Sequence, residues 1–167
     1  YHVWTEDGGS SYITLAVPGH LRLVNVGSFE GRGALNSDIS FPHAVADFEI
    51  WNTQPGESLA LTVYLQDTLP QTFYNYGKIA DTPFENWYKF DYDGETGAKH
   101  SEGVFQVFLT DGERGDNDLE ANGKIRFTGG PAAVVAGQSL IFPHIVRSDD
   151  ENTSLGLIND EVNLLTG

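Results

Sequence analysis

Five acidic residues and one arginine lie within the thirteen residues from 111 to 123, whose sequence is DGERGDNDLEANG. Three glycines in this acidic loop give the backbone the freedom to wrap around an ion. Its side-chain ligand atoms are oxygens, because it contains no His and the chain has no Cys, and oxygen ligands select hard cations. The acidic loop therefore predicts a calcium site with these ligands: Asp116 and Asp118 as the principal pair, with Asp111, Glu120 or Asn122 completing the shell.

A solvated hairpin turn explains the same residues, because Asp-Gly and Asn-Gly are strong hairpin signals. The spacing of the acids does not match an EF-hand loop, which requires Gly at its sixth position and Glu at its twelfth. A second acidic turn, DYDGETG, offers Asp91 and Asp93 either as further ligands of the same ion or as ligands of another. It too reads equally well as a plain turn, so the sequence leaves both alternatives open.

Four aromatic residues form a second candidate site. Trp51, Trp87, Tyr74 and Tyr76 could form a flat platform on which sugar rings stack, as on carbohydrate-binding β-sandwiches. Aromatic residues at a period of two more often fill the core of a sandwich, where each ring buries a large area. The pattern favours the core, and the platform is kept as the alternative that would make the chain a carbohydrate-binding module.

Catalytic residues in a recognisable arrangement are missing from the sequence. The five His residues have no HxH or HExxH spacing, and the chain contains neither Cys nor a GxSxG segment. Paired carboxylates of the kind that hydrolyse glycosides stay open, because their separation in space cannot be read from a sequence. The density of acids in glycine-rich turns favours ion binding, so the chain is predicted not to be an enzyme.

The composition narrows the range of partners. A formal charge of −15, from 24 Asp and Glu against 9 Lys and Arg, repels nucleic-acid phosphates and anionic membrane surfaces. No apolar run approaches the roughly 18 residues that a membrane span requires, so neither nucleic-acid binding nor membrane insertion is predicted. The first residue is Tyr1 rather than Met, which predicts a processed protein or a fragment.

Short segments of alternating polarity run through the whole chain and are separated by turns rich in Gly, Pro, Asn and Asp. No sustained period of 3.6 residues predicts a helix. Eight to ten short strands of this kind predict an all-β fold, an antiparallel β-sandwich of Greek-key or jelly-roll-like type with little or no helix. The acidic loop joins two of these strands, residues 104–109 and 124–128.

Two long motifs carry a family resemblance: TFYNYGKIADTPFENWYKFDYDGETGA (residues 72–98) and VFLTDGERGDNDLEANGKI (residues 107–125), followed by GGPA. From about residue 15 to residue 131 the chain resembles the choice-of-anchor U domain of bacterial secreted and surface proteins. The resemblance implies an extracellular, non-catalytic domain. The chain departs from the family in having Arg-Phe-Thr where an Asp commonly precedes GGP, and in having no anchoring tail after GGPA.

The segment that follows the resemblance defines the domain boundaries. Residues 1–132 are predicted to form the β-sandwich, and residues 133–167 a C-terminal extension with apolar strands at 139–146 and 153–158. These strands either fold back on the same domain or add to the sheet of a neighbouring subunit, which would build a homopolymeric filament. Together the patterns predict a secreted, calcium-stabilised structural or adhesive module of a bacterial cell surface, with glycan as a possible partner.

Overall fold

The computed structural model describes residues 1–4, 11–29, 39–66, 70–80, 82–134, 144–146 and 156–158. Over these residues the chain forms strands and no helix, so the described part also contains no helix long and apolar enough to cross a membrane. The chain divides into two compact units, Tyr1–Val135 and Ala136–Gly167. The first unit is a β-sandwich of two antiparallel sheets with eleven described strands. This confirms the predicted all-β sandwich, with more strands than the eight to ten predicted, because strands as short as β1 and β4 are too short to show an alternation.

Five strands form the first sheet, in this spatial order: β1 (His2–Trp4), β2 (Tyr12–Ala16), β6 (Ser58–Leu65), β10 (Val104–Thr110) and β9 (Gly97–Ser101). The second sheet follows this order: β3 (Arg22–Ser28), β5 (Ala46–Trp51), β11 (Lys124–Val134), β7 (Thr72–Ile79) and β8 (Thr82–Lys89). The short strand β4 (Ile39–Ser40) pairs with the last residues of β11. All strand pairs in both sheets are antiparallel.

The core lies between the two sheets and follows from the alternation of the strands. In β6 and β10 every second side chain is apolar and buried, except that Leu65 at the end of β6 is half-buried, because successive side chains of a strand point to opposite faces. Phenylalanines fill the centre: Phe73 of β7 meets Phe105 of β10 with ring centroids 5.3 Å apart. This contact joins the two sheets, and Phe90 and Phe127 pack beside it.

The described part of the second unit consists of two short strands that pair with each other. Strand β12 (His144–Val146) lies antiparallel to β13 (Gly156–Ile158), with His144 opposite Ile158. The other residues of the predicted strands at 139–146 and 153–158 lie outside the described residues. Addition of this unit to a neighbouring subunit therefore stays a prediction.

Candidate functional site

Asp111 fixes both ends of the acidic loop. Its side chain is only 2% exposed and accepts three backbone hydrogen bonds. Oδ2 accepts from the N–H groups of Gly56 and Gly123, each at 3.0 Å, and Oδ1 accepts from the N–H of Lys124 at 3.1 Å. Because Gly56 belongs to the turn between β5 and β6, one carboxylate joins that turn to the start and the end of the loop.

Asp116 hydrogen-bonds to the backbone of β11 at a position where the neighbouring strand β7 does not do so. It is 0% exposed, and its Oδ1 accepts a hydrogen bond from the N–H of Arg126 at 3.0 Å, while Oδ2 accepts from Gly112 at 2.9 Å. The following residue, Asn117, donates its N–H to the carbonyl of Arg126 at 2.8 Å. Strand β11 pairs with β7 only from Gly129 onward, so these two loop residues satisfy the backbone N–H and carbonyl of Arg126 in the part of β11 that β7 leaves open.

The side chain of Asn117 fills the gap between β11 and β7. Its amide lies so close to Gly77 of β7 that a Cβ at that position would overlap it. Its Nδ2 donates to Thr128 Oγ1 at 3.2 Å, and Thr128 donates in turn to Asp47 Oδ1 at 2.7 Å. The acidic loop is thus connected through hydrogen bonds and close packing to β7, β11 and β5.

Arg114 connects the acidic loop to the second acidic turn. Its Nη2 donates to Asp93 Oδ2 at 2.7 Å and to the main-chain oxygen of Asp91 at 2.9 Å. A hydrogen bond from the backbone N–H of Glu95, together with the charge of Arg114, lowers the pKa of Asp93. The Asp91 carboxylate pairs with Lys89 at 2.8 Å. One hint of this role is visible in the sequence, since Arg114 is the single base among five acids.

The predicted calcium ligands of the loop are brought together only in part. Asp111 and Asp116 use their oxygens for backbone amides, and Asp118 accepts hydrogen bonds from the N–H of Glu120 at 2.9 Å and the side chain of Asn122 at 3.4 Å. Within the described ranges, no three His, Asp or Glu side chains form a group that could hold a metal. Calcium stays a prediction, and among the predicted acidic ligands of the loop Asp118 and Glu120 accept the fewest hydrogen bonds from backbone N–H groups.

Three of the four predicted platform residues meet on the outer face of the second sheet. Tyr74 and Tyr76 alternate with buried residues of β7 and are half-buried, as is Trp87 of β8. Phe29 and Phe41 join them: Trp87 lies 5.0 Å from Phe41 and 5.4 Å from Tyr76, and Tyr76 lies 5.7 Å from Phe29, between ring centroids. We call these five residues the aromatic cluster. Several of its rings are tilted, Tyr76 and Trp87 by 56°, so it is a packed cluster rather than a flat platform.

Trp51 stands apart from the aromatic cluster. It lies on β5, three strands away from β8, which corresponds to about 14 Å across the sheet. Its Nε1 donates to Glu49 Oε2 at 2.6 Å, and the Lys124 ammonium lies 5.3 Å from its ring centre. Trp51 is 39% exposed, so it belongs neither to the core nor to the cluster.

The pKa of Asp116 provides a test of its burial. Burial raises this pKa from 3.8 to about 6, against the opposing hydrogen bond from Arg126. The folded chain therefore binds more protons than the unfolded chain between about pH 4 and pH 6, and the contribution of Asp116 to stability falls as the pH rises through that window. Chemical unfolding of the wild type and of Asp116→Asn is expected to give a stability difference that changes between these pH values and is constant above them. A difference independent of pH would contradict the burial of an ionisable Asp116.

Comparison with known proteins finds no relative of the chain. No family model, no curated protein and no solved structure matches the chain. The resemblance to the choice-of-anchor U domain therefore stays a prediction.

Proposed function

We propose that this β-sandwich is a non-catalytic adhesive domain of a bacterial cell surface and that it binds glycans at the aromatic cluster. The observation that carries the proposal is the position of the cluster. Tyr74, Tyr76 and Trp87 lie on the outer face of the second sheet, where they keep part of their surface exposed. Half-exposed aromatic rings combine an apolar face with polar edges, and that combination suits the mixed surface of a sugar ring.

Its location outside the cell rests on the two resembling motifs, and the acidic composition bears on its partners. The motifs at residues 72–98 and 107–125 contain both the cluster residues of β7 and β8 and the acidic loop. A net charge of −15 disfavours nucleic acids and anionic lipids as partners but does not disfavour neutral glycans.

Replacement of Trp87 or Tyr76 by Ala is expected to weaken glycan binding about fivefold or more, because each ring contributes about 1 kcal/mol or more at a stacked contact. Glycan-array screening identifies the ligand, and isothermal titration calorimetry then compares the variants. The matched control is Tyr64→Ala, since Tyr64 is 49% exposed on β6 of the other sheet.

Two results would contradict glycan binding at the aromatic cluster. One is an absence of glycan binding by the wild type, and the other is binding that Trp87→Ala and Tyr64→Ala reduce equally. Release of sugar products from a bound oligosaccharide, abolished by one acidic substitution, would contradict the non-catalytic part. Thermal melts of each variant show whether a loss of binding follows from unfolding.

Calcium is the second part of the proposal, placed at the less committed oxygens of Asp118 and Glu120. The support is the formal charge of −4 on the acidic loop, from five acids and one base, which a divalent ion would offset. At a calcium concentration of about 100 times Kd, binding stabilises by about 2.7 kcal/mol, or roughly 5–10 °C in Tm for a chain of this size.

The expected result is a higher Tm in calcium than in excess chelator for the wild type, and no such difference for Asp118→Asn. Asp91→Asn is the control, because Asp91 lies in the second turn and pairs with Lys89. Equal Tm values for the wild type in calcium and in chelator would exclude a stabilising calcium site.

A further inference from the structure

A polar pocket of about 270 Å³ lies beside the aromatic cluster on the second sheet. Two cluster residues, Phe29 and Tyr76, belong to its wall, so the cluster and the pocket form one continuous surface. We propose that this outer pocket holds one non-acidic sugar residue, preferably one with a protonated amino group. The inference rests on the proposed function, because it identifies the sugar residue of the glycan that would lie next to the rings of the aromatic cluster.

The sheet and the acidic loop build the outer pocket together. Asp47 and Glu49 alternate with buried residues of β5 and therefore lie on its outer side. They stand opposite Thr128 and Arg126 of β11 in the strand register. Because the acidic loop enters the gap between β11 and β7, Asp118 reaches the same pocket. The loop thus contributes a ligand-facing carboxylate to the sheet surface.

Negative charges outnumber positive charges in the outer pocket. Four carboxylates and two cations line it, for a formal charge of −2: Asp47, Glu49, Glu85, Asp118, Lys78 and Arg126. Over the described residues, the ion pairs of the chain involve neither Lys78 nor Arg126. Over the part of the chain that the structure describes, the pocket therefore offers acceptors from its carboxylates and donors from two cations that carry no ion pair.

These groups favour a particular class of ligand. Sugar hydroxyls can donate charge-assisted hydrogen bonds to carboxylates and accept them from Arg126 or Lys78. A ligand carboxylate would meet a net negative field and lose affinity, whereas an ammonium group would gain it. The volume of about 270 Å³ lies just below the range of drug-sized ligands, roughly 300–1,000 Å³, and so suits a single ring. Tyr76 supplies an aromatic wall for that ring.

The test compares three probes that share one ring: methyl glucosaminide, methyl glucoside and methyl glucuronide. Titration calorimetry on the full chain in excess chelator, which keeps the Asp118 carboxylate free of calcium, is expected to give the tightest binding for the amino sugar and the weakest for the acidic sugar, about tenfold apart. Glu85→Gln removes one pocket carboxylate and is expected to reduce this ratio at least about threefold. Glu113→Gln is the matched control, because Glu113 is an exposed acid of the acidic loop that does not line the pocket.

Each outcome decides the inference. The expected order together with a smaller ratio in Glu85→Gln supports it. Equal affinities for the three probes, tightest binding of the glucuronide, equal ratios in Glu85→Gln and Glu113→Gln, or no binding of any probe would overturn it. Array binding that depends on Trp87 would still stand after any of these results, so failure of the pocket and failure of the proposed function are distinguishable.

Discussion

Asp111→Ala is expected to lower the free energy of unfolding by about 3 kcal/mol or more, even in excess chelator. The substitution removes the acceptor of three backbone N–H groups, which belong to Gly56, Gly123 and Lys124. A hydrogen bond to a charged group contributes about 1.5–3 kcal/mol, and both ends of the acidic loop lose their attachment. Urea unfolding of the variant and the wild type measures the difference.

Glu113→Ala is the control for charge, because Glu113 is an exposed acid of the same loop. It is expected to change stability by less than about 0.5 kcal/mol. If mutual repulsion of the acids dominated the energetics of the acidic loop, removal of Asp111 would stabilise the chain in chelator. That result would contradict the role assigned here to the Asp111 hydrogen bonds.

Gly115→Ala is expected to destabilise the chain by about 3 kcal/mol or more. Gly115 has a φ of +101°, which costs a residue with a Cβ about 1–2 kcal/mol. The added Cβ would also lie 2.5 Å from Phe90 Cζ and 2.8 Å from Leu109 Cδ2, and overpacking of a core costs a further 1–3 kcal/mol, roughly. Thermal and urea unfolding of the variant measure the sum.

Gly94→Ala separates the cost of backbone strain from the cost of overpacking. Gly94 has a similar φ of +119°, but a Cβ there would meet no atom within 4 Å. Its expected cost is the backbone strain alone, about 1–2 kcal/mol. Equal losses for Gly94→Ala and Gly115→Ala would show that the acidic loop does not pack against the core at Gly115.

The all-β fold could be predicted because alternation is a local property of the chain. Strand β6, with apolar residues at every second position, is buried on one face as its sequence indicates. The position of the acidic loop between two strands followed in the same way. The strand order of the two sheets could not be predicted, because it depends on pairings between distant segments such as β2 with β6.

The roles of the acids could not be predicted either, because they also depend on contacts between segments that are distant in the sequence. The hydrogen bond from Gly56 to Asp111 spans 55 positions, and nothing local distinguishes an acid that accepts backbone amides from one that binds an ion. Phe29 and Phe41 also escaped prediction, since each lies just outside a strand and carries no periodic signal. The outer pocket depends on the gap between β11 and β7, which only the fold creates.

The most direct test of glycan binding at the aromatic cluster uses the three tryptophans of the chain. Trp4 lies on β1, Trp51 on β5 and Trp87 on β8, so the three indole N–H signals of the ¹⁵N-labelled chain report on three separate places. During titration with a glycan selected on the array, the Trp87 signal is predicted to shift in a saturable manner while the Trp4 signal stays in place. A saturable shift of Trp4 with an unmoved Trp87 signal would contradict the proposed function.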